Sequence, residues 1–398
     1  MADLLAEAIR NNPEIAAARS ERDAAQQRIS PAGAFDDPML EAGVVNAPLP
    51  SLSLSREEMT MKMLGLGQKL PYPGKRDLRR SVAAADARSV EFALQEAINR
   101  TARDVRITYA DLGFNTEARR ILADTEAELV QLAAIARSRY DVGQAVQNDV
   151  LDAQTEVERL RIQRLQLERE AAALQAEMRR LLGRVADGAP IIVSTPDLIE
   201  AHPDGATLHD EALDQRPQLL ALETQIERGD KAVALAEREY YPDFDVRLQY
   251  GQRDRAPDGM PRDDMVTLTV ALNLPIWRKS RLEPMVAEAR AMRNGARSML
   301  VAQQLETRTA IDTRVAEARQ WRDTAELYRG TVLPRVRASV VSALAAYRVG
   351  RVDFLTLRQA QLRELEVSTQ LAEAIASHNK AVAELDLLLG RSALLPTD

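Results

Sequence analysis

The 398-residue chain has no cysteine, which excludes disulfides and thiolate metal sites. Aromatic residues are scarce at 4%, too few for a thick enzyme core. Nowhere do ~18 apolar residues follow one another, so no transmembrane helix is expected. The opening "MADLLAEAIRNN" lacks the basic stretch and apolar core of a signal peptide. Either the protein is cytoplasmic or a targeting segment has been removed. There is no glycine-rich phosphate loop, no G-x-S-x-G and no paired His–carboxylate arrangement, so no enzyme is expected. The three histidines, His202, His209 and His378, are scattered without ligand-like neighbours at helical spacing. Neither a metal site nor a cofactor follows from them. The net charge of −7 argues against a general nucleic-acid binder.

Charged residues are abundant, at 28%, and Ala, Glu, Arg, Leu and Gln dominate. That mixture favours long helices and coiled coils. The chain is also written twice. Leu70-Pro71 recurs as Leu274-Pro275, an offset of 204 (274 − 70), and "NNPEI" (11–15) recurs as "QRPQL" (215–219) at the same offset. Tyr140-x-Val142-Gly143 recurs as Tyr347-x-Val349-Gly350, and "LLGR" (181–184) as "LLGR" (388–391), both at 207 (347 − 140). One unit of about 200 residues is therefore duplicated, rather than a solenoid of 30–50-residue repeats. The first repeat is placed at 1–184, with a β-hairpin about 39–70 and an α-hairpin about 75–183 whose tip lies near 140–148. A Pro/Gly/Asp-rich link over 185–212 is read as wrapping the outside at mid-height. The second repeat is placed at 213–398, with a β-hairpin about 243–274 and an α-hairpin about 281–390 whose tip lies near 347–354. "SALLPTD" reads as a short tail.

The long helices lack internal proline over 74–140, 147–183, 286–333 and 354–390. A 65-residue helix is about 100 Å long, and Pro334 is placed to kink the third. Val150, Ala153, Val157, Leu160, Leu167, Ala171, Leu174, Met178 and Leu181 form a heptad seam broken only by Arg164. The second seam, from Leu357 to Leu388, has two polar faults, Glu364 and His378. A sustained seven-residue period implies a left-handed supercoil. Gly143 and Gly350 then supply the left-handed conformation that ends each descending helix.

Phe244, Val246, Leu248 and Tyr250 alternate with polar residues, as do Val266, Leu268, Val270, Leu272 and Leu274. One apolar face at period two suits a membrane barrel. Four strands cannot close one, and open edges are not tolerated in lipid. The chain is therefore expected to oligomerise, three copies giving twelve strands. Met59, Met61 and Met63 alternate on one strand face; a path for soft Cu(I) is conceivable, and strand packing or lipid contact is the plainer reading. "GKRDLRR" (74–80) and "RKSR" (278–281) put cations where the helix dipole disfavours them. Anionic lipid headgroups would compensate, and a solvated basic helix start is the alternative.

Together "NNPEI"/"QRPQL", "LPYPGK"/"LPIWRK", "RYDVGQAVQNDVLDAQ"/"YRVGRVDFLTLRQAQ" and "LLGR"/"LLGR" resemble the TolC family of outer-membrane efflux channels over nearly the whole chain. "PYPGKR" and "GQAVQNDVLDAQTE" are most similar to the branch serving heavy-metal pumps, the copper/silver and cobalt/zinc/cadmium exporters. The resemblance implies a mainly α protomer with a small β part: a duplicated helix, β-hairpin and long α-hairpin. It implies a homotrimer, with a 12-stranded outer-membrane β-barrel continuous with a periplasmic α-helical barrel. It implies a periplasmic membrane-fusion adaptor and an inner-membrane RND pump as partners, outer-membrane lipid around the barrel, and no chemistry. Adaptor docking falls on Arg139, Tyr140, Val142, Gly143, Tyr347, Val349 and Gly350, where Ala346 replaces the second Arg. Tyr140 and Tyr347 could instead only close the hairpin core. An acidic constriction falls on Asp149 and Asp152, which share a helix face and could equally be solvated surface. The family's better-known ring belongs to the second half, where Thr356 and Gln359 stand, so Asp353 contributes instead. Export of drugs or other organic compounds is the alternative cargo, and a soluble coiled-coil scaffold the alternative class.

Overall fold

The computed structural model describes residues 1–49, 51–185, 188–194, 197–199 and 205–391. His202 and the tail "SALLPTD" lie outside the described residues. The elements run α1 (Ala2–Asn11), α2 (Pro13–Ala32), β1 (Met39–Val45), β2 (Met61–Leu70), α3 (Lys75–Asp141) and α4 (Gln147–Leu182). The second half follows with α5 (Gly205–Gln215), α6 (Pro217–Arg238), β3 (Phe244–Gln252), β4 (Met265–Leu272), α7 (Glu283–Leu327), α8 (Leu333–Arg348) and α9 (Phe354–Leu388). The stretch 185–212, read as a link, thus contains the start of α5 at Gly205. Met59, expected on a strand face, precedes β2. Among the described residues no helix is long and apolar enough to cross a membrane.

Two compact units emerge. The first comprises Met1–Arg19, Ala93–Leu219 and Ala302–Asp398, and the second Ser20–Phe92 and Leu220–Val301.

In the first unit, four helix ends close in the same way. Gly143, Gly183, Gly350 and Gly390 all take a left-handed φ near +70°. At each end the glycine N–H bonds back to Tyr140, Arg180, Tyr347 or Leu387, and the next N–H bonds to Arg139, Arg179, Ala346 or Asp386. This is the paired 5→2 and 6→1 closure that satisfies the last helix carbonyls. The duplication is therefore carried in the backbone. It also explains why "LLGR" accompanies "NNPEI" and "QRPQL". A Cβ on Gly183 would stand 2.4 Å from the Asn11 carbonyl oxygen, and one on Gly390 2.9 Å from that of Gln215. Each half ends by packing a bare backbone onto its own beginning. Asn12 fastens the first closure by donating to the Leu181 carbonyl at 2.9 Å.

The polar interruptions of the seams find partners. Arg164 meets Glu126 of α3 at 2.9 Å, and Glu364 meets Arg337 of α8 at 3.1 Å. His378 is fully buried, with Nδ1 at 2.8 Å from the Ala318 carbonyl and Nε2 at 2.7 Å from that of Ile199. It anchors the connecting segment onto α9, as does Asn379, which donates to the Asp197 carbonyl at 2.9 Å. His209 pairs with Asp312 at 2.9 Å. Pro334 lies just past a π-helical turn at Tyr328–Val332, and Pro284 just past another at Arg278–Leu282. A proline ring collides with the carbonyl four residues before it, and widening the turn removes the collision.

The second unit holds an antiparallel sheet in the order β1-β2-β3-β4. Leu40, Leu66, Leu248 and Leu268 lie side by side across it, as do Ala42, Leu64, Tyr250 and Val266. The four leucines are each more than half exposed, so this face is a contiguous apolar patch that needs a cover. The opposite face carries charged and polar residues, with Met39 and Val45 of β1 also on it. Arg247 bridges Glu41 at 3.3 Å and Asp245 at 3.0 Å, and Gln249 donates to Glu41 at 3.3 Å. Glycines of β2 make room for these long side chains: a Cβ on Gly65 would meet Gln249 Cγ at 2.9 Å, and one on Gly67 would meet Arg247 Cγ at 3.4 Å. Met61 and Met63 stand on this polar face, opposite Leu64 and Leu66. Of the two plainer readings, strand packing describes Met61, whose sulfur lies against Gly251.

The cations at the start of α3 are also corrected. Lys75 is fully buried, with Nζ at 3.1 Å from Glu239, 2.9 Å from Asp243 and 3.0 Å from the Tyr241 carbonyl. Arg76 donates to the Gly33 carbonyl at 2.9 Å and lies 3.3 Å over the Phe35 ring. Protein acceptors, not lipid headgroups, answer these two charges.

Candidate functional site at the hairpin tips

Both tips share one core in the first unit. Leu122, Leu129, Leu132 and Ala136 of α3, Ala153, Val157 and Leu160 of α4, Tyr347 of α8, and Phe354 and Leu357 of α9 form a single buried cluster. Tyr347 and Phe354 meet edge to face with ring centroids 6.0 Å apart, the geometry that aligns ring edge and face charges. Tyr347 is only 2% exposed, so its ring closes the tip rather than facing solvent.

Arg139 joins the hairpins. Its guanidinium lies 4.8 Å over the Tyr347 ring and donates to the Tyr347 carbonyl. The side chains turned outward are Tyr140, Val142 and Val349, at 43%, 67% and 68% exposure. Gly143 and Gly350 form the turns between them. Sequence reasoning missed Val146, Leu151 and Leu355, which extend the same exposed apolar set. Their signal was present, since each is an apolar residue in a tip, off the heptad seam.

The three acidic candidates play different parts. Asp353 caps α9: its carboxylate accepts the Thr356 N–H at 2.9 Å and the Thr356 hydroxyl at 2.5 Å. Those bonds, the hydroxyl first, hold its carboxyl below the usual range. The first repeat has Val146 there, without a side-chain cap. Asp152 receives Asn148 at 3.2 Å and stands 3.8 Å from Arg358 of α9. Arg358 is a residue the sequence reading did not single out. Burial pushes the Asp149 carboxyl up, and the charges of Asp152 and Asp353 push it further. The sign follows from linkage: with its pKa raised on folding, an ionised Asp149 works against the folded tip, and that opposition disappears as pH falls through the raised value. The three carboxylates are thus close enough to feel one another, yet only Asp152 has a cation beside it at contact range among the described residues.

The first unit closes two α-hairpins at one core, and the second holds an amphipathic sheet whose edge strands β1 and β4 have no further partner among the described residues. The chain belongs to the outer membrane efflux protein family, which it matches over residues 4–184 and 208–391. Members are transport conduits, not enzymes, and the protein is an outer-membrane efflux channel. Among curated proteins no relative matches. The fold is that of CusC, whose structures concern conformational changes accompanying folding and transmembrane channel formation: 15% identity, 97% of this chain and 91% of that one, TM-score 0.85. The outer membrane protein VceC from Vibrio cholerae is similar too, at 16% identity over 98% and 95% of the two chains, with a TM-score of 0.80. So is the open state of the MtrE outer membrane channel of Neisseria gonorrhoeae, at 14% identity over 98% and 89%, TM-score 0.76.

Proposed function

We propose that the channel is a homotrimer, the exit duct of a tripartite pump, passing heavy-metal cations delivered by an inner-membrane pump through a periplasmic adaptor. The sheet carries this reading. Its four strands expose one continuous apolar face and, among the described residues, leave β1 and β4 each paired on one side only. Open edges are not tolerated in lipid, and three copies give a closed twelve-stranded barrel. Outer-membrane lipid covers the leucine face, and the Glu41–Arg247–Asp245 face lines water. Tyr140, Val142 and Val349 offer the adaptor its apolar contacts around the turns at Gly143 and Gly350. The metal cargo rests on the likeness of "PYPGKR" and "GQAVQNDVLDAQTE" to heavy-metal channels.

The test is complementation. A host lacking its own exit duct receives this chain together with the adaptor and pump of a metal exporter, or with those of a drug exporter. Metal tolerance restored with the first set alone is the expected result. Restoration with the drug set alone would move the cargo to organic compounds, and restoration with neither would remove the duct reading.

The tip carboxylates form the constriction in this reading. Asp149→Asn combined with Asp152→Asn should lower cation preference in planar-bilayer recordings, because a ring of carboxylates attracts cations at close range. Unchanged selectivity and conductance would place both groups off the pore axis.

A further inference from the structure

Three methionines gather on the face of the sheet that carries Glu41, Arg247 and Gln249, with Val45 opposite Met61. Met63 and Met265 are the register partners of Gly251 on its two sides. Residues directly opposite one another in antiparallel strands stand on the same face, and Met61, two residues before Met63, shares it. Gly251 contributes no side chain, and Met61 fills the gap: its Sδ lies 2.5 Å from where a Cβ on residue 251 would be. The Met61 sulfur therefore sits over Gly251, flanked by the side chains of Met63 and Met265. Elsewhere on this face stand Glu41, Arg247 and Gln249, while the leucines of the same strands occupy the other side.

Met61 can pack on Val45 as any apolar side chain would. A thioether has a second property, a soft polarisable sulfur that prefers Cu(I)-type ions over hard or borderline ones. The geometry points to a soft monovalent cation site formed by the sulfurs of Met61, Met63 and Met265 over Gly251. The site deepens the metal-cargo reading, but binding at it does not depend on that reading. A second methionine group, Met285, Met292 and Met299 on α7, is spaced by seven residues, about 10 Å per step. Those sulfurs are too far apart to share an ion and serve as an internal control.

The detergent-solubilised full chain, labelled with 13C at its methionine methyls, is titrated with Ag(I), an air-stable stand-in for Cu(I). At one equivalent per chain, Met61, Met63 and Met265 should shift while Met285, Met292 and Met299 stay in place. Against a chromogenic Cu(I) chelator, Met61→Leu with Met63→Leu should lose more than the about tenfold that an outer-shell change costs a metal site. Gly251→Ala should also weaken binding, since its β-carbon evicts the Met61 sulfur while leaving all three thioethers in the chain. All eleven methionine methyls drifting together, or wild-type affinity in the double leucine variant, would overturn the site. Localised Ag(I) shifts in a chain that confers no metal tolerance would support the site and count against the cargo reading alone.

Discussion

Phe354→Ala is expected to loosen both hairpin tips at once. Phe354 is 1% exposed and belongs to a cluster that contains residues of α3, α4, α8 and α9. Removing a buried phenylalanine ring costs about 3–5 kcal/mol, part from lost burial and part from the cavity left behind. Tyr347 loses its edge-to-face partner, and its ring is then held chiefly by Arg139. The loss is local, so global melting is a poor measure of it. Amide exchange resolves local opening: protection over 347–357 should fall by about two orders of magnitude or more, since each 1.4 kcal/mol is a factor of ten. Protection in the sheet, which belongs to the other unit, should not change. Wild-type exchange across the tips would mean that the cluster does not hold them.

The fold was largely legible because its signals are long and repeated. Seven-residue spacing over α4 and α9, paired glycines at a fixed offset and alternation in β3 and β4 each reinforce the next. Less legible was anything that depends on which residue faces which across the chain. Arg164 and Glu364 look like faults in a seam, and only the opposing helix reveals Glu126 and Arg337. Asp149, Asp152 and Asp353 look alike in the sequence. The structure separates them into a burial-raised carboxyl, a partner of Arg358 and a helix cap. The face carrying Met61 and Met63 was open for the same reason: parity gives the alternation of a strand but not the side on which its neighbours are polar. The sheet register gives that, and it places them with Arg247 and Gln249.

Lys75 and Lys279 show the same limit and lead to the second large effect. They occupy equivalent places in "LPYPGK" and "LPIWRK", yet Lys75 is fully buried and Lys279 exposed. The difference lies in what waits for each. Lys75 of α3 reaches Glu239 and Asp243, whereas the residues at their equivalent places in the first half are Phe35 and Met39, which accept nothing. Lys75→Ala should therefore cost far more than Lys279→Ala. Breaking a buried ion pair by removing one partner costs about 3–5 kcal/mol. Here the carboxylates of Glu239 and Asp243 remain 24% and 31% exposed, so water rehydrates them in part and the lower end, about 3 kcal/mol, is expected. Lys75→Met keeps most of the stem and removes the charge, which separates packing from electrostatics. If the ion pairs dominate, both Lys75 variants should show faster amide exchange where β3 begins, with Met nearly as affected as Ala, while Lys279→Ala matches wild type. A Met variant indistinguishable from wild type would assign the effect to the stem. Equal behaviour of all three variants and the parent would show that the two carboxylates hold Lys75 without stabilising the strand they precede.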